Sequence, residues 1–213
     1  MEPDRARELR AAGDTANSVL EARHDARELT LPACRRAIRE SALAIRATHR
    51  DELDTARHHI ANAAELLERA AQATAEHPAV REAGFLHDAQ KEFAEANLTL
   101  AFVANEPAAD AAALNVEVPA YLNGLAEAAS ELRRAVLDRL RADESDQAER
   151  LFTVMEDAYG LLVTIDYPDA LTGGLRRATD ALRAVLERTR GDITNAAVLA
   201  RFDAAIADQL PRR

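Results

Sequence analysis

Four glutamates form two closely spaced pairs in the middle of the chain. Glu92 and Glu95 lie three residues apart in KEFAEANL, and Glu127 and Glu131 lie four apart in LAEAASEL. Such spacings place both members of a pair on one face of an α-helix. Two helices facing each other would present four carboxylates to one hard divalent cation, Mg²⁺ or Mn²⁺, and such an ion can hold a phosphodiester and activate a water. The spacing therefore predicts a metal site.

The same glutamates have a simpler interpretation. An acidic helical protein offers many carboxylate pairs of this spacing, and most of them are exposed to solvent. Adjacent carboxylates also repel each other, and the sequence places no obvious cation one turn from Glu92 or Glu95. A solvated acidic face is therefore the alternative to a metal site.

A stripe of arginines is the second pattern that could do chemistry. At ~100° per residue, its five members fall within an arc of about 60° on one predicted helix. They are Arg35, Arg39, Arg46, Arg50 and Arg57. Because the planar guanidinium binds phosphate oxygens bidentately, the stripe predicts a face that follows a nucleic-acid backbone. A solvated face with ion pairs between successive turns is the alternative.

The composition indicates helices throughout. Aromatic residues make up 4% of the 213 residues, and glycine and proline number seven each. Alanine, leucine, arginine and glutamate dominate, and all four favour helices. We therefore expect an all-α fold, a single domain over residues 1–213 with about seven helices in one bundle.

The 3.6-residue period and the helix-breaking residues divide this bundle into elements. A first helix is expected over 3–28, ending at LTLPA, where Thr30 is a candidate N-cap. A long second helix should then run over 30–74, with a bend near His49. Further helices are expected over 80–105, 119–141, 145–165, 174–190 and 192–209, with Gly191 separating the last two. The segment 106–119 is the least regular.

Charge and cysteine content suggest the cellular setting. The net charge is -10, and Lys91 is the only lysine beside 26 arginines. Excess carboxylate with little lysine is typical of proteins from high-salt cytoplasms, as in haloarchaea, although a GC-rich genome would also favour arginine. The single cysteine, Cys34, excludes an internal disulfide and fits a reducing compartment. Without a run of ~20 apolar residues or a signal peptide, a cytoplasmic protein with no membrane partner is expected.

Four stretches resemble the translin family, and in particular its translin-associated factor X branch. RELTLPACRRAIRESALAIRATHR resembles the family's arginine-rich helix, and AGFLHDAQKEFAEANLTLAF resembles its "LQEYVEA" helix. VPAYLNGLAEAASELRRAVLDRL resembles "DYLLGVADLTGELMR", and DAYGLLVTIDYPDALTGGLRRATDALRAVLERTRGDI follows the closing helix pair. The resemblance covers about 27–193, and the order and spacing of the stretches are more specific than any one of them.

This resemblance implies an all-α bundle that assembles into a hollow, barrel-like octamer with nucleic acid inside. The factor X branch implies a Mg²⁺-dependent endoribonuclease site, whose acids fall on Glu92, Glu95, Glu127 and Glu131. Glu127 replaces an aspartate of that branch, which lengthens the arm by one methylene, and translin itself has no acid there. The implied activity is cleavage of single-stranded RNA by a homo-oligomer.

The sequence is compatible with two other classes of protein. One is a translin-like scaffold that binds RNA or single-stranded DNA without cutting it. The other is a purely structural helical protein whose acidic pairs are solvated. Metal-dependent cleavage would distinguish the enzyme from both, and retention of nucleic acid without metal would distinguish the scaffold from the structural protein.

Overall fold

A computed structural model describes residues 4–209 of the protein, and this part of the chain is all-α, as the sequence predicts. It contains eight helices where about seven are expected, because two short helices of four residues are added and the last two expected helices are one. The helices are α1 (Arg5–Thr48), α2 (Leu53–Thr74), α3 (Pro78–Arg81), α4 (Phe85–Ala104), α5 (Val118–Arg141), α6 (Ser145–Leu162), α7 (Asp169–Thr172) and α8 (Leu175–Gln209).

Helices α4 and α5 lie side by side at the centre of the fold. On one side α4 packs against α1 and α2, around a core that includes Leu66, Leu86 and Phe93. On the other side α5 packs against α6 and α8, around a second core that includes Leu132 and Met155. The seam between α4 and α5 therefore lies between two hydrophobic cores that hold both helices in place.

The expected helix boundary at LTLPA is wrong, because α1 continues through Pro32 to Thr48. Proline lacks an N–H and so removes one backbone hydrogen bond. The two residues directly after it, however, Ala33 and Cys34, are buried against α2 and α4, which favours continuation of the helix. Thr30 is buried as well, and its hydroxyl donates to the Ala26 carbonyl instead of capping a new helix.

The helix instead ends where only a bend is expected, and a turn between His49 and Glu52 separates α1 from α2. Asp51 adopts a φ of 56°, in the left-handed region, and its N–H donates to the Thr48 carbonyl. This turn reverses the chain, so α2 packs back along α1. The expectation of a single long helix over 30–74 is thus wrong, because these residues belong to two helices, α1 and α2.

Gly191 does not end a helix either, because α8 runs without interruption to Gln209. An interior glycine costs a helix only about 0.5–1 kcal/mol relative to alanine. The buried neighbours Thr189 and Ile193 anchor the helix on both sides of it. The irregular segment agrees with expectation, since no helix lies between Ala104 and Val118.

Over the described range 4–209, no helix combines the length and the apolar character that a bilayer crossing requires.

Candidate metal centre

Gly124 brings α4 and α5 into close contact. A Cβ at this position would lie 2.7 Å from the Lys91 carbonyl oxygen and 2.9 Å from the Ala94 Cβ. Only glycine permits so close an approach of two backbones. The segment of α4 that it touches carries Glu92 and Glu95, and Glu127 follows three residues later on α5. The sequence therefore fixes the separation of the helices at the level of these acids.

Three of the four predicted acids converge at this contact. Glu92, Glu95 and Glu127 each offer a carboxylate oxygen, and these oxygens lie within 4.8 Å of one another. Glu95 is buried, with 7% of its surface exposed, and the other two are half-buried. Carboxylates this close repel one another, so the cluster needs a proton or a cation to be stable. These three residues are called the carboxylate cluster below.

Lys91 supplies a cation to this cluster. Its Nζ donates to both carboxylate oxygens of Glu127 at 2.8 Å and lies 3.3 Å from Glu92 Oε1. Burial of Lys91 disfavours the ammonium, but the hydrogen bonds and charges of Glu127 and Glu92 outweigh burial and raise its pKa overall. The cation near Glu92 is thus not one turn away along the helix but on the directly preceding residue, whose side chain reaches across to α5.

The crowding of the carboxylates strongly changes the pKa of Glu95. Burial in the α4–α5 seam, followed by the charges of Glu127 and Glu92, raises the pKa of Glu95 from 4.5 to about 9. Both causes disfavour the ionised form. Without a divalent cation, Glu95 therefore holds a proton at neutral pH.

Glu131 does not join the three acids. It lies one turn beyond Glu127, and its Oε2 accepts a hydrogen bond of 2.8 Å from His49 Nε2. This hydrogen bond, with a smaller contribution from the charge of Arg134, lowers the pKa of Glu131. The structure thus brings together three of the four predicted ligands and turns the fourth toward the end of α1. Glu131 remains close enough for its charge to contribute to the raised pKa of Glu95.

The carboxylate cluster fits a hard divalent cation. Mg²⁺ and Mn²⁺ take oxygen ligands, and Glu92, Glu95 and Glu127 offer them from two helices that Gly124 holds in register. A bound cation would also offset the repulsion among these carboxylates, so that Glu95 would no longer need to carry a proton. These three residues would hold the ion, and Glu131 would reach it only after leaving His49.

The five arginines do not form one stripe. Arg35, Arg39 and Arg46 are exposed on α1 and share one face of that helix. Arg50 lies in the turn after α1, where Glu52 accepts two hydrogen bonds of 2.8 Å from it. Arg57 is on α2 and pairs with Asp54 and Glu106. The expected stripe is therefore reduced to three arginines, because the chain reverses at Asp51.

Sequence reasoning missed two residues that contact the predicted acids. Lys91 carries a signal that could have identified it, since it is the only lysine and directly precedes Glu92. His49 carries no comparable local signal, because it is 82 residues from Glu131 along the chain. Its side chain is 3% exposed, and its Nδ1 has no hydrogen-bond partner within residues 4–209.

Solved structures resemble this chain over most of its length. The structure of a C3PO from Archaeoglobus in complex with duplex RNA superposes with a TM-score of 0.80 at 34% identity, covering 87% of this chain and 96% of that one. A second structure of that protein gives 0.80 at 33% identity, with coverages of 87% and 97%. The C3PO of Nematostella without ligand gives 0.73 at 18% identity, with coverages of 92% and 98%, and shows the fold alone.

Comparisons of sequence alone match a smaller part of this chain than the solved structures do. No protein-family model matches the chain. An uncharacterised protein of Methanocaldococcus jannaschii is 45% identical over 47 residues, which are 22% of this chain and 21% of that protein. The chain therefore matches about a fifth of that relative's length. The similarity to the Archaeoglobus C3PO, by contrast, spans almost the whole of that protein.

Proposed function

The chain belongs to the translin family, of which C3PO is a member, and from this premise we propose that it is a Mg²⁺-dependent endoribonuclease acting on single-stranded RNA. One observation carries the proposal. Three carboxylates from two central helices converge so that their oxygens lie within 4.8 Å of one another; they are Glu92, the buried Glu95, and Glu127. Mn²⁺ would serve in place of Mg²⁺, since both ions take oxygen ligands.

The residues of the cluster have distinct tasks in this proposal. Glu92 and Glu95 on α4 and Glu127 on α5 would hold the cation, and Glu95 would have to lose its proton to do so. A bound Mg²⁺ would polarise the phosphodiester and lower the pKa of the attacking water. Glu131 lies one turn beyond Glu127 on α5 and is held ionised by His49, and we assign it as the acceptor of the proton that the water would release.

The arginine face of α1 would position the RNA. Arg35, Arg39 and Arg46 are exposed and lie on one side of the helix, so they can follow successive phosphates of a strand. Contacts to phosphates give affinity but carry no base information, so weak sequence preference is expected. Arg50 and Arg57 would contribute only if their carboxylate partners released them.

The proposal also includes the oligomeric state of the protein and its branch of the translin family. We infer a hollow homo-octamer that encloses the RNA, and membership of the factor X branch, because Glu127 supplies an acid that translin itself lacks. The net charge of -10 and the near absence of lysine support a high-salt cytoplasm, as in haloarchaea. Single-stranded DNA would bind through the same phosphate contacts.

A second candidate function is a scaffold of the same architecture that binds RNA without cutting it. The observation in its favour is the ion pair between Lys91 and Glu127, which already neutralises part of the carboxylate cluster. A permanent ion pair would leave no reason for a cation to bind. The enzyme and the scaffold therefore make opposite predictions about metal dependence.

Cleavage of labelled RNA in molar KCl tests the proposal. Single-stranded and duplex RNA are incubated with Mg²⁺ or with EDTA, using the native chain, Glu127→Gln and Glu92→Gln. We expect cleavage of single-stranded RNA that requires Mg²⁺ and falls by a factor of about 100 or more in each variant, since each loses a ligand. Glu149→Gln, which removes an exposed carboxylate on α6, is the control and should cleave normally.

Two results would contradict the proposal. Binding of RNA without cleavage in Mg²⁺ would favour the scaffold. Cleavage that persists in Glu127→Gln would show that the carboxylate cluster is not the site.

A further inference from the structure

The ammonium of Lys91 lies against the carboxylate cluster. Its Nζ lies 2.8 Å from both oxygens of Glu127 and 3.3 Å from an oxygen of Glu92. It therefore contacts two of the three carboxylates that are placed to hold a divalent cation. It is also the only lysine of a chain whose other 26 basic side chains are arginine.

We propose that Lys91 is an exchangeable counterion that competes with the divalent cation for Glu127 and leaves the cluster when the metal binds. This inference rests on the proposed metal site and adds a residue that the family resemblance does not supply, since the family motif "LQEYVEA" has glutamine before its first glutamate.

Geometry and charge make simultaneous occupation unfavourable. A Mg²⁺ ion needs carboxylate oxygens at about 2.0–2.1 Å. Lys91 already uses both oxygens of Glu127, so ion and ammonium would approach the same two atoms. Two cations on one carboxylate repel each other strongly when they are partly buried. Binding of the metal should therefore displace the ammonium.

The type of side chain suits this exchange. A lysine is a compact point charge on a flexible stem, whereas an arginine binds a carboxylate through a rigid two-pronged fork. The Lys91 side chain is 23% exposed, so a path to solvent is open to it. An ammonium can thus leave Glu127 by rotating about its side-chain bonds, without movement of α4.

A structural ion pair is the competing explanation. Lys91 links α4 to α5, and a link that only joined the helices would remain in place with or without metal. Under that explanation, removing Lys91 would weaken the packing of the acids and would not improve the binding of a cation. Removing Lys91 should therefore tighten metal binding under the exchange and leave it equal or weaker under the structural explanation.

Mn²⁺ affinity, measured from the loss of the free-ion signal in electron paramagnetic resonance, distinguishes them without RNA. We expect Lys91→Met, which keeps the length of the side chain, to bind Mn²⁺ about tenfold more tightly than the native chain, because a competing ion pair is gone. In EDTA the variant should melt at a lower temperature, and Mn²⁺ should raise its Tm by more than it raises that of the native chain.

One control separates competition from a general change in charge. Arg134→Met removes a positive charge from α5 that acts on Glu131 and pairs with Asp138. It should change Mn²⁺ affinity by less than about threefold, because an exposed charge is screened by salt. Lys91→Gln repeats the test with a polar side chain, in case Lys91→Met does not fold.

The outcomes also separate this inference from the nuclease proposal. Tighter Mn²⁺ binding in Lys91→Met supports the exchange even if RNA is never cleaved. Equal or weaker binding overturns it even if the native chain cleaves RNA in Mg²⁺. Failure of both the native chain and Lys91→Met to bind Mn²⁺ also overturns it.

Discussion

Glu95 differs from the other acids of the cluster because it is buried in the α4–α5 seam. Its pKa of about 9 lies above the value of 4.5 for an exposed glutamate. Between these two values the folded protein binds more protons at Glu95 than the unfolded chain does. Stability should therefore fall as the pH rises from about 4.5 toward about 9, where the folded carboxyl also ionises.

Replacement by glutamine tests this pH dependence. Glu95→Gln keeps a neutral side chain of the same shape, so its stability should decline less than that of the native chain as the pH rises. The measurement is Tm in EDTA from about pH 5 to about pH 9. Glu149→Gln on the surface of α6 should follow the native curve. If the curves for Glu95→Gln and the native chain are parallel, the carboxyl of Glu95 is not protonated in the folded state.

The sequence predicts the acids of the site better than their partners. Glu92, Glu95 and Glu127 follow from helical spacing and from the family motif, since both depend only on nearby residues. The contacts of Lys91 with Glu127 and of His49 with Glu131 span 36 and 82 residues. Such contacts depend on how helices pack and on which way a chain turns, and spacing within one helix does not encode either.

At the scale of elements, two glycines in helices should respond oppositely to alanine. Gly124 lies against the backbone of α4, where a Cβ would be 2.7 Å from the Lys91 carbonyl oxygen. Gly191 lies in α8 with no atom within 4 Å of a Cβ. Gly124→Ala should therefore force α4 and α5 apart and lower the free energy of unfolding by about 1–3 kcal/mol.

Gly191→Ala is the matched substitution and should raise the free energy of unfolding by about 0.5–1 kcal/mol. Urea unfolding of both variants gives the comparison. Gly124→Ala should also weaken Mn²⁺ binding, because it separates Glu127 from Glu92 and Glu95. Equal stability of the two variants would show that the close contact of α4 and α5 is not needed.

Helix ends were the least predictable part of the fold. Pro32 and Gly191 are local helix breakers, yet both lie inside helices whose flanking residues are buried. The break at Asp51 has no proline or glycine and depends on a residue in the left-handed region. Packing thus overrides local preference at Pro32 and Gly191, whereas the all-α class depends on composition along the whole chain.

At the scale of the whole molecule, large apolar side chains are exposed near the outer ends of the two longest helices. Leu199 and Phe202 on α8 are 64% and 63% exposed, and Ile206 lies on the same face of that helix. On α1, Leu9 and Leu20 are 73% and 60% exposed. Apolar side chains clustered on a surface often mark contacts between proteins, which agrees with the proposed homo-oligomer.

Charged substitutions on α8 test the oligomer. Leu199→Asp combined with Phe202→Asp should lower the molar mass measured by light scattering during gel filtration, because a carboxylate buried between copies lacks a partner. Thr194→Asp adds a charge on a different, polar part of the same helix and should leave the mass unchanged. An unchanged mass in the double variant would place the contacts between copies elsewhere.

The position of the sole lysine gives the molecule a built-in chemical reporter. Apart from the α-amino group, Lys91 is the one amine that an acylating reagent could modify. An ammonium hydrogen-bonded to a carboxylate holds its proton and reacts slowly. The rate of acylation at this residue therefore reports whether the ammonium is paired. Mass spectrometry of the unaltered chain could thus follow the state of the α4–α5 seam without replacing any residue.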